Sequence, residues 1–184
     1  MLSNLLLTGL PRSGKSTLLE RVVSLVDERK RGLLTREILR HGERIGFDVV
    51  TSKPETVRLA HIDSLSPLRV GKYGVEISLF EATLRPLFDV HENELLYLDE
   101  IGQMQLHSTE FRCLVQRYLD IPQLCIGTIS AVYEHPTISA LRQREDTRIV
   151  EVTAENRDRF FSVMKNVGER YLKGDRFSDL IRTF

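Results

Sequence analysis

Cysteine is scarce in this chain: Cys113 and Cys125 are the only two among 184 residues, and no CxxC spacing occurs. That argues against a disulfide framework or a cysteine-built metal site, and both are expected to be small buried hydrophobes, Cys113 in a helix and Cys125 in a strand. The five histidines, His41, His61, His91, His107 and His135, include no pair at zinc-ligand spacing, so no transition-metal site is expected. Neither sign of charge is in excess. Lys plus Arg and Asp plus Glu both number 26, for a formal net charge of zero, which removes any global pull toward nucleic acid or an anionic membrane. Any anion must be held locally. No apolar run is long enough to span a bilayer, and Met1-Leu2-Ser3-Asn4 lacks the basic region of a secretory signal. The expectation is a soluble, cytoplasmic protein without membrane or nucleic-acid partners, a monomer with oligomerisation left open.

What is present is concentrated in Gly9-Leu10-Pro11-Arg12-Ser13-Gly14-Lys15-Ser16-Thr17, which follows the apolar run Leu5-Leu6-Leu7-Thr8 and opens a helical pattern. A strand, a glycine-framed turn and a helix in that order make a phosphate-binding loop: the glycines let successive N–H groups point into one concavity. Lys15 supplies a point charge for the β and γ phosphates, and Ser16 offers its hydroxyl to magnesium at the positive end of the helix dipole. Leu18, Val22 and Val26 form the buried stripe, with Leu19 and Val23 beside it. The pattern runs into Asp27-Glu28-Arg29-Lys30-Arg31, and Gly32 is expected to close the helix.

At 184 residues, 41% of them hydrophobic, the chain is expected to form one domain spanning residues 1–184. Residues 32–77 read as an antiparallel β-rich elaboration. There, residues 33–39 and 44–50 flank His41-Gly42 as a hairpin, Ser52-Lys53-Pro54 ends its second strand, and short strands follow at 58–61 and 73–77. From Ser78 onward helices and apolar strands alternate. Helices are expected at 79–88, from Ser108 through Leu119, at 138–143 and after Thr153, where Phe160, Val163, Met164 and Val167 share a stripe. Strands are expected at 95–98, 124–128 and 147–152. Apolar strands between helices indicate an α/β fold, a parallel sheet covered on both faces. The tail, residues 170–184, reads equally as a packed helix or a frayed end.

Leu95-Leu96-Tyr97-Leu98 ends in Asp99-Glu100, and a carboxylate pair at a strand end beside a phosphate loop divides two tasks. Asp99 would hold magnesium, and Glu100 would orient or deprotonate the water attacking the γ phosphate. Thr128 ends the neighbouring strand, where its hydroxyl either reaches the γ phosphate or its water, or has no ligand at all. Arg12, Arg36, Arg44, Arg142, Arg144 and Arg157 are candidates for stabilising transition-state charge. The guanine-reading Asn-Lys-x-Asp stretch of regulatory GTPases is absent, which disfavours a strict guanine switch.

Thr35-Arg36-Glu37, residues 44–49, 70–73, Leu98-Asp99-Glu100-Ile101-Gly102, residues 126–129 and Val152-Thr153-x-x-Asn156-Arg157 follow the phosphate loop in order. In this the chain resembles the thermostable nucleoside-triphosphatase family, which includes the cancer-related nucleoside triphosphatase. The resemblance implies a three-layer P-loop fold of RecA type, magnesium as cofactor, and slow hydrolysis of ATP, GTP and other nucleoside triphosphates with low base specificity. It also places Asn156 and Arg157 near the base or ribose; helix capping beside a solvated Arg157 is the alternative. Two positions depart from the family pattern. Gln103 stands where lysine is frequent, and Glu134-His135-Pro136 replaces Gly-Lys-Pro, which leaves Arg12 as a substitute cation within the loop. Three functions therefore stand: a hydrolase, a small-molecule or nucleoside kinase using the same loop, and a nucleotide-dependent binding switch.

Overall fold

The computed structural model describes residues 3–25, 29–53 and 55–172. Val26, Asp27, Glu28, Pro54 and the tail from Lys173 lie outside these, as does the side chain of Val167. Strand β1 (Asn4–Thr8) leads through the loop into helix α1 (Lys15–Val23). A hairpin follows, β2 (Lys30–Arg40) and β3 (Glu43–Thr51), then β4 (Thr56–His61), β5 (Arg69–Val70) and β6 (Tyr73–Val75). Helix α2 (Ile77–Leu84) tightens into a 3-10 turn at Arg85–Phe88, where Pro86 cannot donate to an α-helical ladder. Then come β7 (Leu95–Ile101), the short α3 (Gln103–Leu106), α4 (Thr109–Asp120), β8 (Cys125–Ile129), α5 (Pro136–Arg142), β9 (Thr147–Glu151) and α6 (Arg157–Leu172).

Among the described residues, the nine strands form one mixed sheet in the order β5-β6-β4-β3-β2-β7-β8-β1-β9. The core, β2-β7-β8-β1-β9, is parallel, and the remaining pairings are antiparallel. The expected elaboration is thus the continuation of the same sheet, with β2 belonging to both halves. Successive side chains of each core strand face opposite layers. Leu5, Leu7, Leu95 and Tyr97 pack with α1 and α6, while Leu6, Leu96 and Leu98 pack with α2 and α4. That two-sided burial makes the strands continuously apolar. The hairpin turn is as expected: His41 and Gly42 both have positive φ, 52° and 81°, as a two-residue type I′ turn requires.

Two expectations need correction. Lys30, Arg31 and Gly32 do not end α1; they open β2, pairing with Leu95, Leu96 and Tyr97. Gly32 is needed because a Cβ there would lie 1.8 Å from the Tyr97 carbonyl oxygen. Cys113 is exposed on α4, whereas Cys125 is buried and its thiol pushed up to about 12 by desolvation.

Arg31 sits in the strand because its charge is answered. Its Nε and Nη2 donate to Glu94 at 2.6 and 2.7 Å, Nη1 donates to the Pro86 carbonyl, and both charged side chains are only 10% exposed. Burial pushes the Glu94 carboxyl upward. The bonds from Arg31 and from the His91 N–H, with the Arg31 charge, outweigh it and hold Glu94 below its ordinary range. A depressed carboxylate stabilises the fold above its unfolded value, about 4.3, and that contribution vanishes as pH falls through the folded value. Glu94→Gln should therefore cost about 3–5 kcal/mol at pH 7 in urea unfolding, since it strands a buried guanidinium. The gap to the parent protein should close in acid.

Candidate active site

β1, β7 and β8 lie side by side and parallel, so their carboxyl ends deliver the loop, the acid pair and Thr128 to one edge of the sheet. The loop's backbone needs its glycines. A Cβ on Gly9 would come within 2.4 Å of the Val152 carbonyl oxygen, and Gly14 holds φ +98° immediately before α1. Lys15 folds back over the loop, its Nζ donating to the carbonyls of Gly9 at 2.9 Å and Leu10 at 3.1 Å. An ammonium has three protons, so one is left to face a ligand.

Asp99 is 1% exposed and is the centre of the site. Its Oδ1 accepts from Ser16 Oγ at 2.8 Å and Thr128 Oγ1 at 2.5 Å, and its Oδ2 accepts from the Thr35 N–H at 3.4 Å. Burial raises the carboxyl, and the hydroxyls of Thr128 and Ser16, the Thr35 N–H and the Lys15 charge pull the other way without cancelling it. Ser16 and Asp99, expected to share a metal ion, are thus in direct contact. Thr128 reaches neither empty space nor solvent: its hydroxyl fixes the orientation of Asp99.

Glu100 differs from its neighbour in environment. The β7–β8 pairing is interrupted between Leu98 and Ile101, where the two acids are joined by a cis peptide, and Glu100 is partly exposed. Its carboxylate lies over Gly102, where a Cβ would come within 3.0 Å of Oε2. Burial and then the Asp99 charge raise it, while Lys15 opposes them.

Two residues that sequence reasoning did not assign complete this arrangement. Thr35 Oγ1 donates to the Asp99 carbonyl at 2.5 Å, and Gln105 Nε2 donates to Thr35 Oγ1 at 3.1 Å. Thr35 was visible only as part of a motif, and nothing in the sequence around Gln105 marks it.

The remaining candidates separate cleanly. Arg36 pairs with Glu20 at 2.5 Å, Arg44 with Glu37 at 2.6 Å, Arg144 with Asp120 and Asp146, and Arg142 donates weakly to the Ser130 carbonyl. Arg12 is exposed at φ 67°, a conformation unfavourable for a side-chain-bearing residue. Asn156 spends its amide on the backbone, accepting from the Thr153 N–H at 2.8 Å and donating to the Glu151 carbonyl at 2.9 Å. Arg157 lies across Gly14, and with Thr17 it lines a cleft of about 300 Å³ between α1 and α6. His135 and Pro136, at one of the departures from the family pattern, start α5: His135 Nδ1 accepts from the Thr137 N–H. Gln103 is exposed at the start of α3.

The family model described as NTPase matches residues 4–164. The nucleoside-triphosphatase THEP1 of Thermotoga sp. strain RQ2 is 36% identical over 173 residues, covering 90% of this chain and 98% of the relative. The mouse cancer-related nucleoside-triphosphatase homolog is 31% identical over 176 residues, covering 86% and 92%. Among solved structures, the crystal structure of THEP1 from the hyperthermophile Aquifex aeolicus superposes with a TM-score of 0.78 at 29% identity, covering 86% of this chain and 95% of that one. The solution structure of a human cancer-related nucleoside triphosphatase gives 0.75 at 28% identity, covering 94% and 98%.

Proposed function

The chain belongs to the NTPase family, and from that premise we propose that it is a magnesium-dependent hydrolase cleaving the β–γ bond of ATP, GTP and other nucleoside triphosphates. The observation that carries this reading is the convergence of Lys15, Ser16, Asp99 and Glu100 at one sheet edge, with Ser16 and Asp99 already in contact. The donor set suits magnesium, a hard cation that takes hydroxyl and carboxylate oxygens, and Ser16 and Asp99 would hold it. Held by these two side chains, the ion would supply positive charge that offsets the negative charge of the triphosphate.

The chain's own groups do the rest. Loop N–H groups and Lys15 fix the triphosphate, Lys15 turning the proton not used on the Gly9 and Leu10 carbonyls toward phosphate oxygens. Thr128 and Thr35 keep Asp99 aimed at Ser16. Glu100, partly exposed beside the buried acid, orients the attacking water and accepts its proton. Most contacts go to phosphates, so the base contributes a minor share of the affinity. Arg12 is the arginine best placed to meet charge developing on the γ phosphate: it belongs to the loop, and among the described residues it has no ion pair or hydrogen bond. Its substitution by glycine suits the local φ, so loss of activity in Arg12→Gly would not reflect a misfolded loop.

Phosphate release by purified protein with ATP or GTP tests the proposal. Release should require magnesium, stop with chelator, and fall about tenfold or more in Arg12→Gly. Nucleoside diphosphate formed only after a hydroxyl acceptor is added, with the phosphoryl group on that acceptor, would identify a kinase instead, and tight binding without turnover a switch.

A further inference from the structure

The two acids at the end of β7 fall in a gap of the sheet ladder. β2 pairs with β7 only as far as Leu33 and Leu98, and β8, after Leu98, resumes at Ile101. Side chains take over where both registers skip Asp99 and Glu100. Thr35, two residues beyond Leu33, grips Asp99 twice: its N–H donates to Oδ2 at 3.4 Å and its hydroxyl donates to the Asp99 carbonyl at 2.5 Å. A carbonyl only accepts, so the hydroxyl spends its one proton there, and its oxygen can only accept from Gln105. The Gln105 amide must therefore turn Nε2 toward Thr35, at 3.1 Å. Gln105 is buried on α3, and that short turn is itself anchored. The Leu106 N–H donates to the Gly102 carbonyl, the Leu106 carbonyl accepts from Arg112, and Ser108 both caps α4 and donates to Glu81.

We infer that Gln105 is a positioning residue for the reaction: through the Thr35 hydroxyl it sets the plane of the peptide joining Asp99 to Glu100, and so where Glu100 stands. The inference rests on the proposed role of Glu100 as the group that orients the water. A peptide unit is planar, so holding its carbonyl oxygen holds the direction in which the chain leaves for Glu100. The Asp99 carboxylate has other holds, the hydroxyls of Ser16 and Thr128 and the Thr35 N–H. It keeps its place when the link from Gln105 is cut. Among the described residues no hydrogen bond holds the Glu100 carboxylate, so its position comes from its backbone. Loss of the link should therefore fall on the chemical step, where a small misplacement is costly, and spare the binding of nucleotide and metal.

Steady-state phosphate release from ATP, with equilibrium binding of ADP and magnesium, tests this in Gln105→Met, Thr35→Val, Thr35→Ser and the Gln105→Met/Thr35→Val double variant. Methionine keeps the length of Gln105 without its amide; valine keeps the shape and N–H of Thr35 without its hydroxyl. The kcat should fall about tenfold in Gln105→Met and about 10- to 100-fold in Thr35→Val. KM and ADP affinity should stay within about twofold of the parent, and retained ADP binding also shows that each variant is folded. Thr35→Ser, which keeps the hydroxyl, should recover kcat to within about threefold of the parent. The double variant should be no slower than Thr35→Val, because both changes act through one hydroxyl. Parent kcat in Gln105→Met, a loss carried by KM or ADP affinity, a Thr35→Ser as slow as Thr35→Val, or effects that multiply in the double variant would overturn the assignment and leave the hydrolase reading intact. No phosphate release by the parent protein would overturn the hydrolase reading, and this assignment with it.

Discussion

Glu100→Gln should lower phosphate release by about 10²–10⁴-fold, the usual contribution of a positioned general base, with nucleotide affinity changed far less. The substitution keeps shape and removes the charge and, with it, the capacity to take a proton. Its effect on the fold runs in the favourable direction. A carboxyl raised by burial and by the Asp99 charge is more easily ionised in the unfolded chain, so at neutral pH its charge costs the folded state stability. The glutamine variant should melt at or above the parent temperature. Slow release together with retained stability and retained binding assigns the loss to chemistry. Full turnover in this variant would remove Glu100 from the reaction.

The second large effect is expected at Lys15. Lys15→Ala should reduce kcat/KM by about 10²–10³-fold, comparable to losing a donor that meets developing negative charge, and unlike Glu100→Gln it should weaken binding as well. Without nucleotide Lys15 donates to the Gly9 and Leu10 carbonyls of its own loop, and its charge favours ionised Asp99 and Glu100. Thermal unfolding separates the two situations: magnesium and ATP should raise the melting temperature of the parent by mass action, and of Lys15→Ala hardly at all. An equal shift in both proteins would mean that the ligand is held elsewhere.

That these groups meet at one edge of the sheet was legible because their pattern is written in consecutive residues. Gly9 to Ser16 needs its own spacing to form a loop, and Asp99-Glu100 ends an apolar strand whose neighbours on both sides are parallel. The alternation of strands and helices from Ser78 onward was legible for the same reason, because each element carries its own burial pattern. What was missed depends on partners distant in sequence. Arg29-Lys30-Arg31 looks like a solvated helix end, yet Arg31 is strand because Glu94 answers its charge from the far side of the elaboration. Gly32 looks like a helix stop and is instead a close approach to Tyr97. Thr35 and Gln105 acquire roles only when β2 and α3 meet at the Asp99 carbonyl. Asn156 could be marked from resemblance, but only its hydrogen bonds show that its amide holds the turn before α6.

The central claim is that water, activated beside Glu100, attacks the γ phosphorus of a bound triphosphate. Hydrolysis of ATP and GTP with magnesium in oxygen-18 water, with mass analysis of both products, tests it most directly. The account predicts inorganic phosphate carrying one solvent-derived oxygen and an unlabelled nucleoside diphosphate. Label in the nucleotide product, release of pyrophosphate, or nucleoside diphosphate formed only together with a phosphorylated hydroxyl acceptor would contradict it.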